Sequence, residues 1–256
     1  MSYQQAAHHA DYHTWWLCIA SPQISFQKKV RSYLLRHSVI SPDSAEYSRD
    51  MLRNDWGIED RSALQQMIVQ LANCEHHGTL YLEEYRRASL LTARDWREYC
   101  DGQDSSPLRH AQLALVEATA LDIGSAGIQA WDWCRAAYIT RDGFNAGWVS
   151  EEEWDFIHAY LSGQIRANYK SWQQYTKAFF LGRYFWWSFN EESEQSEAQR
   201  ADALLQGSLY NHYHNSCRAA LRDTDNPAWR LPWQGIELPT LEAPQSLLDT
   251  LNGVEA

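Results

Sequence analysis

The sequence predicts an all-α fold: a single multi-helix globular domain with central, buried, aromatic-rich helices and little or no β-sheet. Three observations predict it. Apolar residues recur at spacings of three and four, as in Leu64, Met67, Ile68 and Leu71 and in Trp154, Ile157, Leu161 and Ile165. Helix caps and stops punctuate these stripes. No sustained alternation with a period of two appears, and Asp101-Gly102 and Asp142-Gly143, dipeptides that suit hairpins, follow helical patterns instead. The 256 residues are 45% apolar and 21% charged, with thirteen Trp and fourteen Tyr. That is enough chain for a sizeable core. Large rings with one polar atom suit a core or an interface that offers hydrogen-bonding edges.

The elements follow in chain order. Ser41-Pro42 pairs a cap with Pro at a first helical position. Gly57 after Trp56, and Gly78 after His77, read as glycine stops. Thr92-Ala-Arg-Asp95 has the form of a capping box before Trp96. Residues 101–106 form an internal loop, and Ser106-Pro107 opens an apolar helix through Leu108, Leu113, Leu115, Val116 and Leu121. Ser150-Glu-Glu-Glu153 is the most complete box, and its acids also suit the positive end of a helix. Ser171-x-x-Gln174 is a further start. In 172–190, Trp172, Tyr175, Phe179, Trp186 and Phe189 share one face, while Phe180, Leu181, Tyr184 and Trp187 cover much of the rest. Such a helix is a central one. Segment 191–206 is rich in Glu, Gln and Ser, either an exposed helix or a mobile connector. After Asp223, prolines at 227, 232, 239 and 244 prevent one continuous helix and predict an extended tail, docked at first by Trp229 and Trp233.

Charge and cysteine usage exclude several classes. The formal net charge is −11, and residues 191–256 carry eleven acids against four arginines. An acidic chain without a basic stripe is poorly suited to a phosphate backbone, so no nucleic-acid partner is expected. The densest basic stretch, Arg86, Arg87, Arg94 and Arg97, is interleaved with Glu83, Glu84, Asp95 and Glu98. No apolar run approaches the ~18 residues of a membrane span, and no signal peptide is visible, so no membrane association is expected. Cysteines 18, 74, 100, 134 and 217 are odd in number and lack Cys-x-x-Cys spacing, which fits a reducing cytoplasm.

The sequence contains no P-loop, no Rossmann fingerprint, no Gly-x-Ser-x-Gly and no His-Glu-x-x-His. His8, His9 and His13 cluster near the start, and His212, His214 and Cys217 form a second group. Each offers two ligands at helical spacing, short of the four that a closed structural site needs, so neither metal nor cofactor is expected. His76-His77 before Gly78 reads as imidazoles at a helix C-terminus. Asp223-Thr-Asp225, ahead of Asn226-Pro227, reads as a turn. His158, on the stripe with Trp154 and Leu161, reads as a satisfied core histidine. The most informative charges are Asp132 and Arg135, in Trp131-Asp132-Trp133-Cys134-Arg135, with Arg183 in a second apolar helix as an outside partner. Together with Trp131 and Trp186 they are the candidate binding group. An acid and two cations in apolar surroundings either fix how two helices meet or form a pocket for an anion or for acid–base chemistry. The structural alternative is the simpler.

The same residues carry a resemblance. Ala130-Trp-Asp-Trp-Cys-Arg-Ala136, then Arg141-Asp-Gly-Phe-Asn-Ala-Gly-Trp-Val-Ser-Glu-Glu-Glu153, Ser171-Trp172 and Leu181-Gly-Arg-Tyr-Phe-Trp186 follow in order. This succession resembles the bacterial domain-of-unknown-function family 1266 over roughly residues 50–235, with Trp56-Gly-Ile58 and Trp229-Arg-Leu-Pro-Trp233 similar to its flanks. The resemblance implies a mostly helical bacterial cytoplasmic domain and no established reaction. It marks Trp131, Asp132, Arg135, Gly147, Ser171, Trp172, Gly182, Arg183 and Trp186 as motif positions only. Trp133-Cys134 stands where small or apolar residues are usual. The implied organisation is a helical extension over 1–50, a helical core over 51–235 and a Pro-containing tail over 236–256.

With no recognised catalytic set, the balance is against an enzyme. The expected function is a non-enzymatic protein-interaction domain, of the kind of an immunity or antitoxin-type partner of a basic protein. The alternative is an enzyme or small-ligand binder that uses Asp132, Arg135 and Arg183. No oligomeric state is implied.

Overall fold

The computed structural model describes residues 11–41, 43–188 and 195–251. The fold is all-α, and among the described residues the only β-type pairing is an isolated bridge between Arg31 and Val39. The chain forms two compact units.

The first unit comprises residues 1–75, 133–167 and 223–256. It holds α1 (Asp11–Ile19), α2 (Ser21–Ile24), α3 (Ser44–Trp56), α4 (Arg61–Ala72), most of α8 (Gln129–Ala146) and α9 (Glu151–Asn168). A 3-10 turn (Pro227–Arg230) and α13 (Gln245–Leu251) complete it. Helix α3 begins at Ser44 after Asp43, two residues later than expected; Pro42 lies outside the described residues. Gly57 stops it as anticipated: φ is +65°, and the Gly57 and Ile58 amides donate to the carbonyls of Arg53 and Leu52. The Ser150–Glu153 box is reciprocal. The Glu153 amide donates to Ser150 Oγ (3.2 Å), and the Ser150 amide donates to Glu153 Oε2 (2.9 Å). Trp154, Ile157, Leu161 and Ile165 are all buried.

The N-terminal segment packs onto this unit. The Trp16 indole donates to Ser162 Oγ (3.2 Å), and Lys28 and Tyr33 both reach Asp223 (2.6 Å each). Asp223 Oδ1 also accepts the Asp225 amide, so the Asp223–Asp225 turn doubles as a latch. The tail departs from the extended form expected of it. Trp233 is buried beside Trp15 as predicted, but α13 forms after Pro244 and packs on α4, with Leu247 buried and Ser246 Oγ donating to Glu153 (2.7 Å). Proline ends helices but tolerates a first turn, and the chain beyond Pro244 is free to wind.

The second unit comprises residues 76–132 and 168–222. Helices α5 (Leu82–Leu90), α6 (Ala93–Asp101) and α7 (Pro107–Ile123) precede α10 (Trp172–Ser188), α11 (Glu197–Leu205) and α12 (Ser208–Leu221). Thr92, Ser106 and Ser171 cap as predicted, accepting the amides of Asp95, Arg109 and Gln174. Helices α7 and α10 are central: α10 buries Trp172, Tyr175, Phe179, Phe180, Leu181 and Tyr184, and both pack against α11. The Glu/Gln/Ser-rich segment is therefore a helix from Glu197 on, opened by a full Ser196/Gln199 capping box; residues 189–194, Phe189 among them, lie outside the described residues.

Candidate functional site

Asp132 sits in the first turn of α8, fully buried. Its Oδ2 accepts the backbone amides of His77 (2.9 Å) and Gly78 (2.7 Å). Two amides on one carboxylate oxygen fix the turn against the helix. This corrects the reading of Gly78 as a helix stop. Helix α4 ends at Ala72, where Cys74 turns left-handed (φ 59°) and the Glu75 amide returns to the Gln70 carbonyl. His76 and His77 therefore lie beyond the last turn, past the reach of the dipole.

Trp131 is buried, with its ring 5.2 Å from Phe179 and 6.1 Å from Trp186. Trp186 itself is 41% exposed, on the last turn of α10. Gly182 gives the close approach that its position suggested: a Cβ there would stand 2.4 Å from Trp131 Cβ. Arg183 is half-buried, and desolvation holds its guanidinium below its usual range. Arg135, buried one turn along α8 from Asp132, lies 5.2 Å over the Trp56 ring. Asp132, Arg183, Trp131 and Trp186 belong to the second unit, and Arg135 with Trp56 to the first.

A charged pair absent from the sequence expectations, between Asp142 on α8 and Arg31, is fully buried. Arg31 and Asp142 form a bidentate pair with both side chains sealed, and Ser48 Oγ donates to the same carboxylate (3.2 Å). Burial pushes Asp142 up to about 6 despite Arg31, which leaves it ionised at neutral pH. Adjacent Arg141 donates to the carbonyls of Leu17 (3.1 Å), Ser32 (3.0 Å), Tyr33 (3.2 Å) and Leu35. Burial, with Arg31 nearby, lowers it to about 9. The sequence signal was two opposite charges ending the apolar run Ala136–Thr140.

The remaining candidates resolve individually. His158 is buried, with Nδ1 2.8 Å from the Trp154 carbonyl and its ring stacked on Trp154 at 3.7 Å, as a core histidine should be. His8 and His9 lie outside the described residues, and His13 packs on Trp16 and Trp154. On α12, His212 and His214 are exposed while Cys217 is buried, so its thiol does not share a surface with them.

The second unit also carries an open groove of about 540 Å³. It runs between α5, α6 and α7 and the turn leading into α10, with Trp96, Leu91, Leu121, Glu117, Lys170 and Gln174 among its walls. Helix α6 buries a single side chain, Trp96, whose indole N–H has no acceptor among the described residues. At the rim, Leu121 is 100% exposed and Leu91 37%. Exposed leucines around a concavity lined by a buried ring are features of a receiving surface.

A protein-family model described as "Protein of unknown function (DUF1266)" matches residues 51–233. The chain is 28% identical to the uncharacterized protein YbeU of Escherichia coli (strain K12) over 201 residues, covering 77% of this chain and 81% of YbeU. It is 31% identical to the uncharacterized protein YbeR of the same strain over 137 residues, covering 54% of this chain and 57% of YbeR. No solved structure matches.

Proposed function

The chain belongs to the DUF1266 family of unknown function, and from that premise we propose that it is a non-enzymatic protein-interaction module whose groove between α5, α6 and α7 receives a basic partner. The observation that carries the reading is Leu121, a fully exposed leucine on the solvent face of α7 at the edge of a concavity of about 540 Å³. A large apolar side chain left in water beside an open groove gains most by being covered: burying a leucine contributes about 1.5–3 kcal/mol. The sign of the partner follows from charge. The chain is −11 overall, and residues 82–125, which build the groove's helices, hold eight acids and five arginines. Complementary charge speeds the encounter, while the apolar groove supplies the lasting contact.

In-cell photocrosslinking from a photoreactive residue at position 121, with position 241 in the first unit as control, tests the reading. A basic protein captured from position 121, released by raised salt and lost in a Leu91→Asp variant, is the expected result. No product specific to position 121, or a product indifferent to Leu91→Asp, would overturn it.

A further inference from the structure

We propose that His76, His77 and Asp132 form a binding site for a divalent transition-metal ion, with Zn²⁺ the best match to the donor set. One ligand atom from each of the three lies within 4.8 Å of the other two. The Nδ1 atoms of His76 and His77 stand 2.5 Å apart, closer than an N–H···N hydrogen bond prefers. Two imidazole nitrogens thus lie together beside a carboxylate. Around one Zn²⁺, with metal–ligand distances of about 2.0–2.2 Å in a tetrahedron, ligand atoms lie roughly 3.3 Å apart. A modest opening of the imidazole pair and a small approach toward the carboxylate reach that spacing. His76 is exposed and His77 half-buried, so both rings have room to turn.

The carboxylate is already placed. Asp132 Oδ2 accepts the amides of His77 and Gly78, and these bonds bring the histidine-bearing turn to α8 and place the carboxylate beside the two rings. The chain that follows is held by Tyr81 in the left-handed region at φ 57°, a costly conformation for a non-glycine residue. Imidazole and carboxylate donors suit Zn²⁺ and its neighbours in the first transition row rather than Mg²⁺ or Ca²⁺. Three protein ligands leave a position for water or an anionic ligand, at the exposed His76 side. The site is independent of the groove and stands or falls separately from the protein-interaction reading.

Titration of the full-length, metal-stripped protein with Zn²⁺ alone against a chromogenic chelator tests it, with Co²⁺ absorption reporting the ligand geometry. The wild type is expected to bind one ion tightly enough to compete with the chelator. A His76→Ala/His77→Ala variant, which leaves both backbone amides on Asp132, should weaken binding at least about tenfold and lose the Co²⁺ bands. His212→Ala/His214→Ala should bind like the wild type. Saturable binding that survives His76→Ala/His77→Ala, or no competition for Zn²⁺ by the wild type, would overturn the proposal. Circular dichroism of each variant separates loss of ligand from loss of fold.

Discussion

Arg31 and Asp142, 111 residues apart in the chain, meet in a bidentate ion pair with Nη1–Oδ1 at 2.7 Å and Nη2–Oδ2 at 3.1 Å, both side chains sealed from water. The pair anchors a segment that precedes the family match to a helix inside it. Removing one partner leaves a buried charge without compensation. Asp142→Asn should therefore cost about 3–5 kcal/mol, read as a shift of the urea midpoint. The double variant Arg31→Met/Asp142→Leu should recover much of that loss, because no unpaired charge remains. If Asp142→Asn leaves the midpoint in place, the pair contributes nothing.

Arg141 acts on the same segment by a different route, binding four carbonyls between Leu17 and Leu35. Arg141→Ala should release residues 32–35 ahead of global unfolding, because each buried carbonyl left without a donor costs about 1–3 kcal/mol. Hydrogen exchange resolves this. Faster exchange confined to the chain around Ser32–Val39 is expected, and uniform acceleration across the protein would contradict a local role for Arg141.

His158 couples stability to pH. Burial holds its imidazole neutral, with the pKa lowered to about 3, helped by the positive charges of Arg141 and Arg36; only its bond to the Trp154 carbonyl opposes this. The unfolded chain binds a proton near pH 6.5, so between there and pH 3 the unfolded state carries the extra proton. The stability that the neutral ring supports is complete above pH 6.5 and declines as pH falls, by about 1.4 kcal/mol per unit. Melting temperatures followed from pH 7.5 to 5 should fall more steeply in the wild type than in His158→Phe. Parallel curves would show that another group governs the acid limb.

Gly182 and Gly163 make a matched test of packing. Both are helical, but a Cβ at 182 would meet Trp131 Cβ at 2.4 Å, whereas one at 163 meets nothing within 4 Å. Gly182→Ala should destabilise by about 1–3 kcal/mol through overpacking. Gly163→Ala should stabilise by about 0.5–1 kcal/mol through helix propensity. Equal effects would mean that the α8–α10 approach tolerates a methyl group.

The all-α class, the caps at Thr92, Ser106, Ser150 and Ser171, the glycine stop at Gly57 and the buried stripe of α9 were all legible in the residue order. These are local or periodic properties, decided within a few residues by hydrogen-bond spacing and side-chain period. The same rules misplaced the stop at Gly78, where a left-handed Cys74 ends α4 earlier, and left the tail extended, where packing on α4 winds α13. Which charges meet was settled by long-range packing. It brought His77 and Gly78 to Asp132 across 55 and 54 residues and Arg31 to Asp142 across 111, and it left Leu121 in water. A charge buried by folding takes whatever partner the packing supplies, and spacing along the chain carries no record of that choice.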